Sequence, residues 1–188
     1  MGAALAVEPP LAAPVVDDQA LIAATLAGQP EAFGELVTRY ERAVYHLAAR
    51  TLRDRTEAED AAQEAFFKAY RALGSFRPGA KFSTWIFTIC YRGCCDRLAR
   101  RKRFSGDDLP DRADTSAGPE LLAERSDEAA RLRTAIDGLP EKYRAVITLY
   151  HLQGKQYEEI ATVLNLPLGT VKTHLFRAKE QLRKVLSA

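Results

Sequence analysis

The feature that most limits the fold is an interruption. Apolar residues recur at helical spacing through most of the chain, and the pattern fails over residues 104–118, FSGDDLPDRADTSAG. Asp, Gly, Ser and Pro dominate there, which suits a solvated connector with little apolar surface to bury. The chain therefore divides into a tail (1–16), a first helical domain (17–103), an acidic linker (104–118) and a second helical domain (119–188). Two small domains fit within 188 residues, and with 47% apolar side chains packed cores are feasible.

Both domains read as all-α. Helices are expected from about Asp17 to just before Gly28, then from Pro30 through Phe33, Leu36, Tyr40, Val44 and Leu47. A third runs from Thr56 to Gly74, and a fourth from about Ser83 through RLARRKR. Pro30 suits a first helical position, where its missing N–H leaves no bond unmade. Thr56 with Glu59 three residues on gives a capping box for the third helix. In the second domain helical pattern resumes near Pro119, again from Pro140 to Gly154, and then over about Gln156–Leu164 and Leu168–Leu186. No alternating run of β-branched residues is long enough for a strand.

The last two helices flank a tight turn, YEEIATVLNLPLGTVKTHLFRAKEQL. Val171, Leu175, Ala178 and Leu182 recur every three or four residues and should face the core. The opposite side carries Thr170, Lys172, Thr173, Arg177 and Lys179. A helix start presents unpaired N–H groups and partial positive charge, which favour phosphate. In a helix-turn-helix that start enters the major groove, where small residues permit close approach and basic ones reach phosphates or guanine edges. His174 reads as a surface or partly packed residue, not a ligand.

The third helix has two faces. Ala62, Phe66, Ala69 and Leu73 point inward, while Asp60, Gln63, Glu64 and Phe67 form a second stripe at i, i+3, i+4, i+7. Acids, an amide and a phenyl ring together suit a basic, partly apolar protein partner. A metal or acid/base reading is set aside. No histidine accompanies the acids, and carboxylates on the first turns stabilise the helix dipole.

The loop SFRPGAKFSTW gathers Phe76, Arg77, Lys81, Phe82 and Trp85. Rings that stack on bases, interleaved with cations that follow phosphates, are what single-stranded nucleic acid requires. Phe82 and Trp85 are read as core. Phe76, Arg77 and Lys81 are expected to be exposed, because Pro78 and Gly79 imply a turn. Farther on, Arg92, Asp96, Arg100 and Arg103 line one side of the fourth helix, and the charge of RLARRKR exceeds what Asp96 balances.

Neither a catalytic set nor a cofactor or metal site is expected, and the protein is not read as an enzyme. Cys90, Cys94 and Cys95 fall within six residues, an odd cluster that is no disulfide framework. Buried cysteine behaves as a small hydrophobe, and a thiol redox sensor is the alternative reading. No apolar run is long enough to cross a bilayer. The opening MGAALAVEPPLAAPVVDD lacks a basic start and is broken by Pro9, Pro10 and Pro14, so a cytoplasmic protein without membrane insertion is expected.

Taken in order, these pieces resemble a bacterial RNA polymerase sigma factor of the extracytoplasmic-function type. AFGELVTRYERAVYHLAARTLRDRTEAEDAAQEAFFKAYRALGSF resembles the family's core-binding region, and KFSTWIFTICYRGCCDRLARRKR its promoter-melting and −10-reading region. LPEKYRAVITLYHLQGKQYEEIATVLNLPLGTVKTHLFRAKEQLRK resembles its −35-reading domain. The resemblance implies that Asp60, Gln63, Glu64 and Phe67 engage the clamp helices of core polymerase. It further implies that Phe76 to Lys81 capture a flipped −10 base, with Tyr91, Arg92, Arg100 and Arg103 on the −10 side. Lys172, Thr173, Phe176 and Arg177 would read the −35 element, flanked by Thr170 and Lys179. Tyr91 and Arg92 stand where many relatives carry Arg-Asn, a departure that bears on −10 preference. An anti-sigma protein is implied as regulator. The alternative from the helix-turn-helix alone is a stand-alone transcriptional regulator.

Overall fold

The computed structural model describes residues 17–105 and 127–186; the tail, nearly all of the predicted linker and the predicted helix start near Pro119 lie outside the described residues. Every regular element among the described residues is helical. The first unit holds α1 (Asp18–Leu26), α2 (Pro30–Leu52), α3 (Arg55–Ala72) and α4 (Phe82–Ser105), with a single 3₁₀ turn at Leu73–Ser75. The second holds α5 (Asp127–Asp137), α6 (Glu141–Ile147), α7 (Tyr157–Leu164) and α8 (Leu168–Leu186). Helix α4 runs to Ser105, two residues into the stretch read as linker.

In the first unit α2, α3 and α4 pack mutually. The buried face of α3 is mostly alanine (Ala58, Ala61, Ala62, Ala65, Ala69), so its backbone approaches its neighbours closely. Phe66 and Leu73 from α3 and its following turn, Leu36, Val44 and Leu47 from α2, and Phe82, Ile86 and Phe87 from α4 fill the space between. The capping box expected at Thr56 does not form. The helix begins one residue earlier, and Asp54 takes the cap by accepting from the Glu57 N–H at 2.8 Å. Glu59 instead accepts from Arg55 Nε at 3.0 Å, one turn back. What makes room for Asp54 is Arg53, which ends α2 in the left-handed conformation at φ 56°.

The second unit is built on α6 and α8, with α5 and α7 against them. The helix expected from Pro140 to Gly154 is not uniform: α6 stops at Ile147, and Thr148–Leu152 form a wider π turn. Arg144, 2% exposed, reaches the end of α5, where its Nη1 donates to the carbonyls of Asp137 (2.9 Å) and Leu139 (3.1 Å). Those carbonyls are the acceptors that a helix end and its following turn leave unmet, and a guanidinium suits them. A capping box between Gln156 and Glu159 starts α7, and Asn165 in the left-handed conformation ends it.

The two units touch along a polar seam, α7 against α4 and α6 against α2. Glu159 accepts from Thr84 Oγ1 at 2.8 Å and pairs with Lys81 (3.4 Å) and Lys155 (3.7 Å). Lys155 Nζ donates to Ser83 Oγ at 2.5 Å and lies 5.2 Å from the Phe87 ring centre. Arg50 of α2 bonds Asp137 of α5 at 2.5 Å. Burial pushes the Glu159 carboxyl up, but the Gln156 N–H, Thr84 and the two lysines outweigh it and hold the group below its ordinary value.

Candidate nucleic-acid interface

Helices α7 and α8 make the predicted helix-turn-helix. Pro167 sits just before α8, and its carbonyl accepts from the N–H groups of Thr170 (2.9 Å) and Val171 (3.1 Å). Val171, Leu175, Ala178 and Leu182 are buried as the spacing required. On the far side Lys172, Thr173, Phe176, Arg177 and Lys179 are exposed, and Thr170 is half-buried. Thr173 Oγ1 donates back to the Gly169 carbonyl at 2.9 Å, which fixes its rotamer. Phe176 leaves 71% of its surface in solvent beside Arg177, and such a ring can contact a thymine methyl in the major groove. Lys179 lies 4.7 Å over the Tyr150 ring, about 16 Å along the helix from its start. His174 stacks edge-on to Tyr143 at 5.4 Å; burial, then Lys142 and Arg177, lower its pKa, so it is a neutral packing residue at pH 7.

In the first unit one expectation is corrected. Phe76 is not exposed: it is 9% accessible and packs against Trp85 (5.1 Å between ring centres) and Phe82 (6.1 Å). The 3₁₀ turn causes this, because the Phe76 N–H closes onto the Leu73 carbonyl at 3.0 Å and steers the ring inward before Pro78 turns the chain. Phe82 is core as expected, whereas Trp85 is half-buried at its edge. Arg77 and Lys81 are exposed, with Gly79 at φ 83° supplying the bend between them. Gln19 Nε2 ties the loop to α1 by donating to the Ala80 carbonyl at 3.0 Å.

Along α4, Arg92, Arg100 and Arg103 are exposed. Tyr91 is half-buried, and burial raises its phenol pKa strongly, so it remains a neutral hydroxyl. The basic run divides its labour. Arg97 bonds Glu64 at 2.7 Å and Arg101 pairs with Glu57 at 3.6 Å, holding α4 to α3, while Arg100 and Arg103 stay outward. Sequence reasoning treated the run as one cationic surface and missed this split; a four-residue step from Arg97 to Arg101 facing the acids of α3 is the signal it held.

The outward stripe of α3 is largely present. Asp60, Gln63 and Phe67 are exposed, Phe67 with 60% of its surface in solvent. Glu64 is half-buried and is committed to Lys68 (2.8 Å) and Arg97, which hold its carboxyl below the usual range. Arg71 lies 5.7 Å over the Phe67 ring, and Tyr70, unremarked in the sequence, adds a second exposed aromatic on the same helix. Cys90 and Cys94 are buried, and the Cys90 Sγ lies 3.7 Å from the Val44 carbonyl. Contact with Cys94 and burial push the Cys90 thiol pKa up, and burial raises that of half-buried Cys95. Raised thiol pKa values make poor nucleophiles. Among the described residues no His, Cys, Asp and Glu side chains cluster as metal ligands, and no helix is long and apolar enough to cross a membrane.

Residues 36–104 match sigma-70 region 2 and residues 129–182 match sigma-70 region 4. The RNA polymerase sigma-H factor of Pseudomonas aeruginosa is 38% identical over 180 residues, spanning 90% of this chain and 93% of the relative. The ECF RNA polymerase sigma-E factor of Escherichia coli is 36% identical over 176 residues (88% and 92%), and the ECF RNA polymerase sigma factor SigW of Bacillus subtilis 35% over 170 (85% and 91%). Among solved structures, CnrH in complex with the cytosolic domain of CnrY is similar at a TM-score of 0.66 and 28% identity, covering 90% of this chain and 97% of CnrH. The sigma factor RpoE of Bartonella quintana, solved with the anti-sigma factor NepR, shares the fold at a TM-score of 0.71 and 23% identity, covering 83% and 97%. With both regions matched in order and relatives alike over nearly their whole lengths, the chain belongs to the extracytoplasmic-function sigma factors of the sigma-70 family.

Proposed function

We propose that this sigma factor carries out its promoter-directing function through three separate surfaces. Asp60, Gln63 and Phe67, with Glu64 at their edge, meet the clamp helices of core RNA polymerase. The α8 start reads the −35 element: Lys172, Thr173, Phe176 and Arg177 at base edges, Thr170 and Lys179 beside them, the last at phosphate. Arg77, Lys81, Arg92, Arg100 and Arg103 line the path of the −10 strand. Phe76 supports that loop from beneath through Trp85 and Phe82, and half-buried Tyr91 lies on the same helix as Arg92.

The work is binding, not bond-breaking, and it takes place in the cytoplasm. Two modules, 17–103 and 119–188, each hold DNA weakly, and tethering both to one polymerase gives joint affinity neither has alone. Strand opening is favoured when an unstacked base finds protein contacts. The acids of the connector (Asp107, Asp108, Asp111, Asp114) imitate nucleic acid in the polymerase channel, and replacing all four with Asn should shift the ratio of abortive to full-length transcripts. An anti-sigma protein is the expected regulator, in keeping with the solved RpoE held by the anti-sigma factor NepR.

The observation that carries this assignment is the exposed Phe67 stripe on the unit that lacks the helix-turn-helix. A stand-alone regulator has no use for it. Transcription in vitro with core polymerase, this protein and a library of random promoters tests the reading. Enrichment of two spaced boxes is expected; transcripts no different from core polymerase alone would refute it.

A further inference from the structure

The π turn at Thr148–Leu152 closes by a five-residue step, with the Gln153 N–H donating to the Thr148 carbonyl at 3.2 Å. Such widened turns are rare and concentrate at functional positions. At its middle stands Tyr150, half-buried and assigned to none of the surfaces above. Two neighbours hold its ring: Tyr157 of α7 at 5.4 Å between centres, tilted by 41°, and His151 edge-on at 4.8 Å. Hydrogen bonding with Tyr150 is the first cause that raises the Tyr157 phenol pKa, so the two hydroxyls meet as well. Over this braced ring sits the Lys179 ammonium of α8, 4.7 Å from its centre.

Lys179 is exposed, and among the described residues it makes no ion pair; the neighbouring Glu180 turns to Lys184 at 3.5 Å. An exposed lysine samples many rotamers, and a phosphate that captures it must order the whole stem. An aromatic face attracts the cation through its quadrupole and leaves ammonium protons free to donate elsewhere. The Tyr150 ring therefore holds this charge in place before DNA arrives. His151 does not compete for the ring as a cation, because burial and then Lys179 lower its pKa and keep it neutral at pH 7.

We propose that Tyr150 is a positioning residue for DNA binding, its ring presenting Lys179 to a phosphate of the −35 duplex. This rests on the −35 reading of α8 given above. Holoenzyme affinity for a promoter duplex recovered from the random library, measured by fluorescence anisotropy from about 0.05 to 0.2 M KCl, tests it. Lys179→Ala should reduce the slope of log K against log [KCl] by about 0.9, the value of one phosphate contact. Tyr150→Leu keeps apolar bulk in the turn but has no aromatic face. It should weaken binding roughly three- to tenfold near 0.1 M KCl, equally on promoters that differ within the −35 box. Tyr150→Phe keeps the face and should bind within about twofold of the parent. On a Lys179→Ala background, Tyr150→Leu should cost less than about twofold, because ring and cation act as one unit. Equal losses from Tyr150→Leu with and without Lys179 would overturn the proposal by assigning the ring to packing. Equal losses from Tyr150→Phe and Tyr150→Leu would overturn it by assigning the effect to the hydroxyl. A reduced slope in Lys179→Ala with Tyr150→Leu silent would overturn it while the phosphate role of Lys179 stands; a silent Lys179→Ala would remove both.

Discussion

Phe66 and Phe67 are adjacent in sequence and should fail in opposite ways when truncated. Phe67 keeps 60% of its surface in solvent, and a phenylalanine side chain presents about 200 Å². Covering what remains removes roughly 120 Å² from water, worth about 3 kcal/mol at ~25 cal/mol per Å². Alanine retains the Cβ, so Phe67→Ala should weaken core polymerase binding by about 2–3 kcal/mol, some 30- to 150-fold in Kd. The fold should be nearly indifferent, with stability within about 0.5 kcal/mol of the parent, because little but Arg71 rests on the ring. Phe66 is 7% exposed and sits in the α3 core, so Phe66→Ala should cost about 3–5 kcal/mol of stability. Fluorescence anisotropy of labelled protein titrated with core polymerase reads the first effect, and urea unfolding reads the second. A folded Phe67→Ala variant that binds core polymerase within threefold of the parent would refute the assignment of this face.

Arg177→Ala should cost roughly 1–3 kcal/mol at the −35 box and relax base preference at one position if the guanidinium reads a base edge; footprinting on substituted promoters checks this. Holoenzyme affinity for promoter DNA should fall steeply with salt, and a flat response would contradict phosphate contacts by α4 and α8. Native thiols should react with a disulfide reagent at pH 7.5 far more slowly than in urea, since Cys90 and Cys94 are buried and the Cys90 and Cys95 thiols have raised pKa values; fast native reaction would restore the redox reading. The Glu159 carboxyl is held below its ordinary 4.5, so its contribution to the seam is complete above that pH and disappears as pH falls through the lower, folded value. Small-angle scattering should show the chain expanding over that acid range, and Glu159→Gln should remove that step from the profile.

Much of the fold was legible because apolar spacing carries it. The stripe from Val171 to Leu182 named the buried face of α8, and Pro30 and Gly28 marked real boundaries. Asp54 was missed as a cap because Thr56 and Glu59 offered a competing pattern, and the left-handed Arg53 that positions Asp54 leaves no mark in residue type. Phe76 was misplaced for a related reason. Pro78 and Gly79 announce a turn, but the direction of a ring two residues earlier is set by a single 3₁₀ hydrogen bond. The pairing of Arg97 and Arg101 with α3, and of Lys155 and Glu159 with α4, joins residues far apart in the chain. Periodicity reports which face is apolar, not which distant side chain a charge will meet.

Promoter boxes named −35 and −10 lie about 25 base pairs apart, roughly 85 Å of duplex at ~3.4 Å per step. A compact body the size of the described residues, 17–105 and 127–186, has a radius of gyration of about 15 Å. The protein cannot bridge both boxes while Glu159 and Lys155 clasp the start of α4, so docking and reading are mutually exclusive states of one equilibrium. Measured promoter affinity is then the intrinsic affinity scaled by the parted fraction, and each 1.4 kcal/mol that favours the clasp lowers it about tenfold.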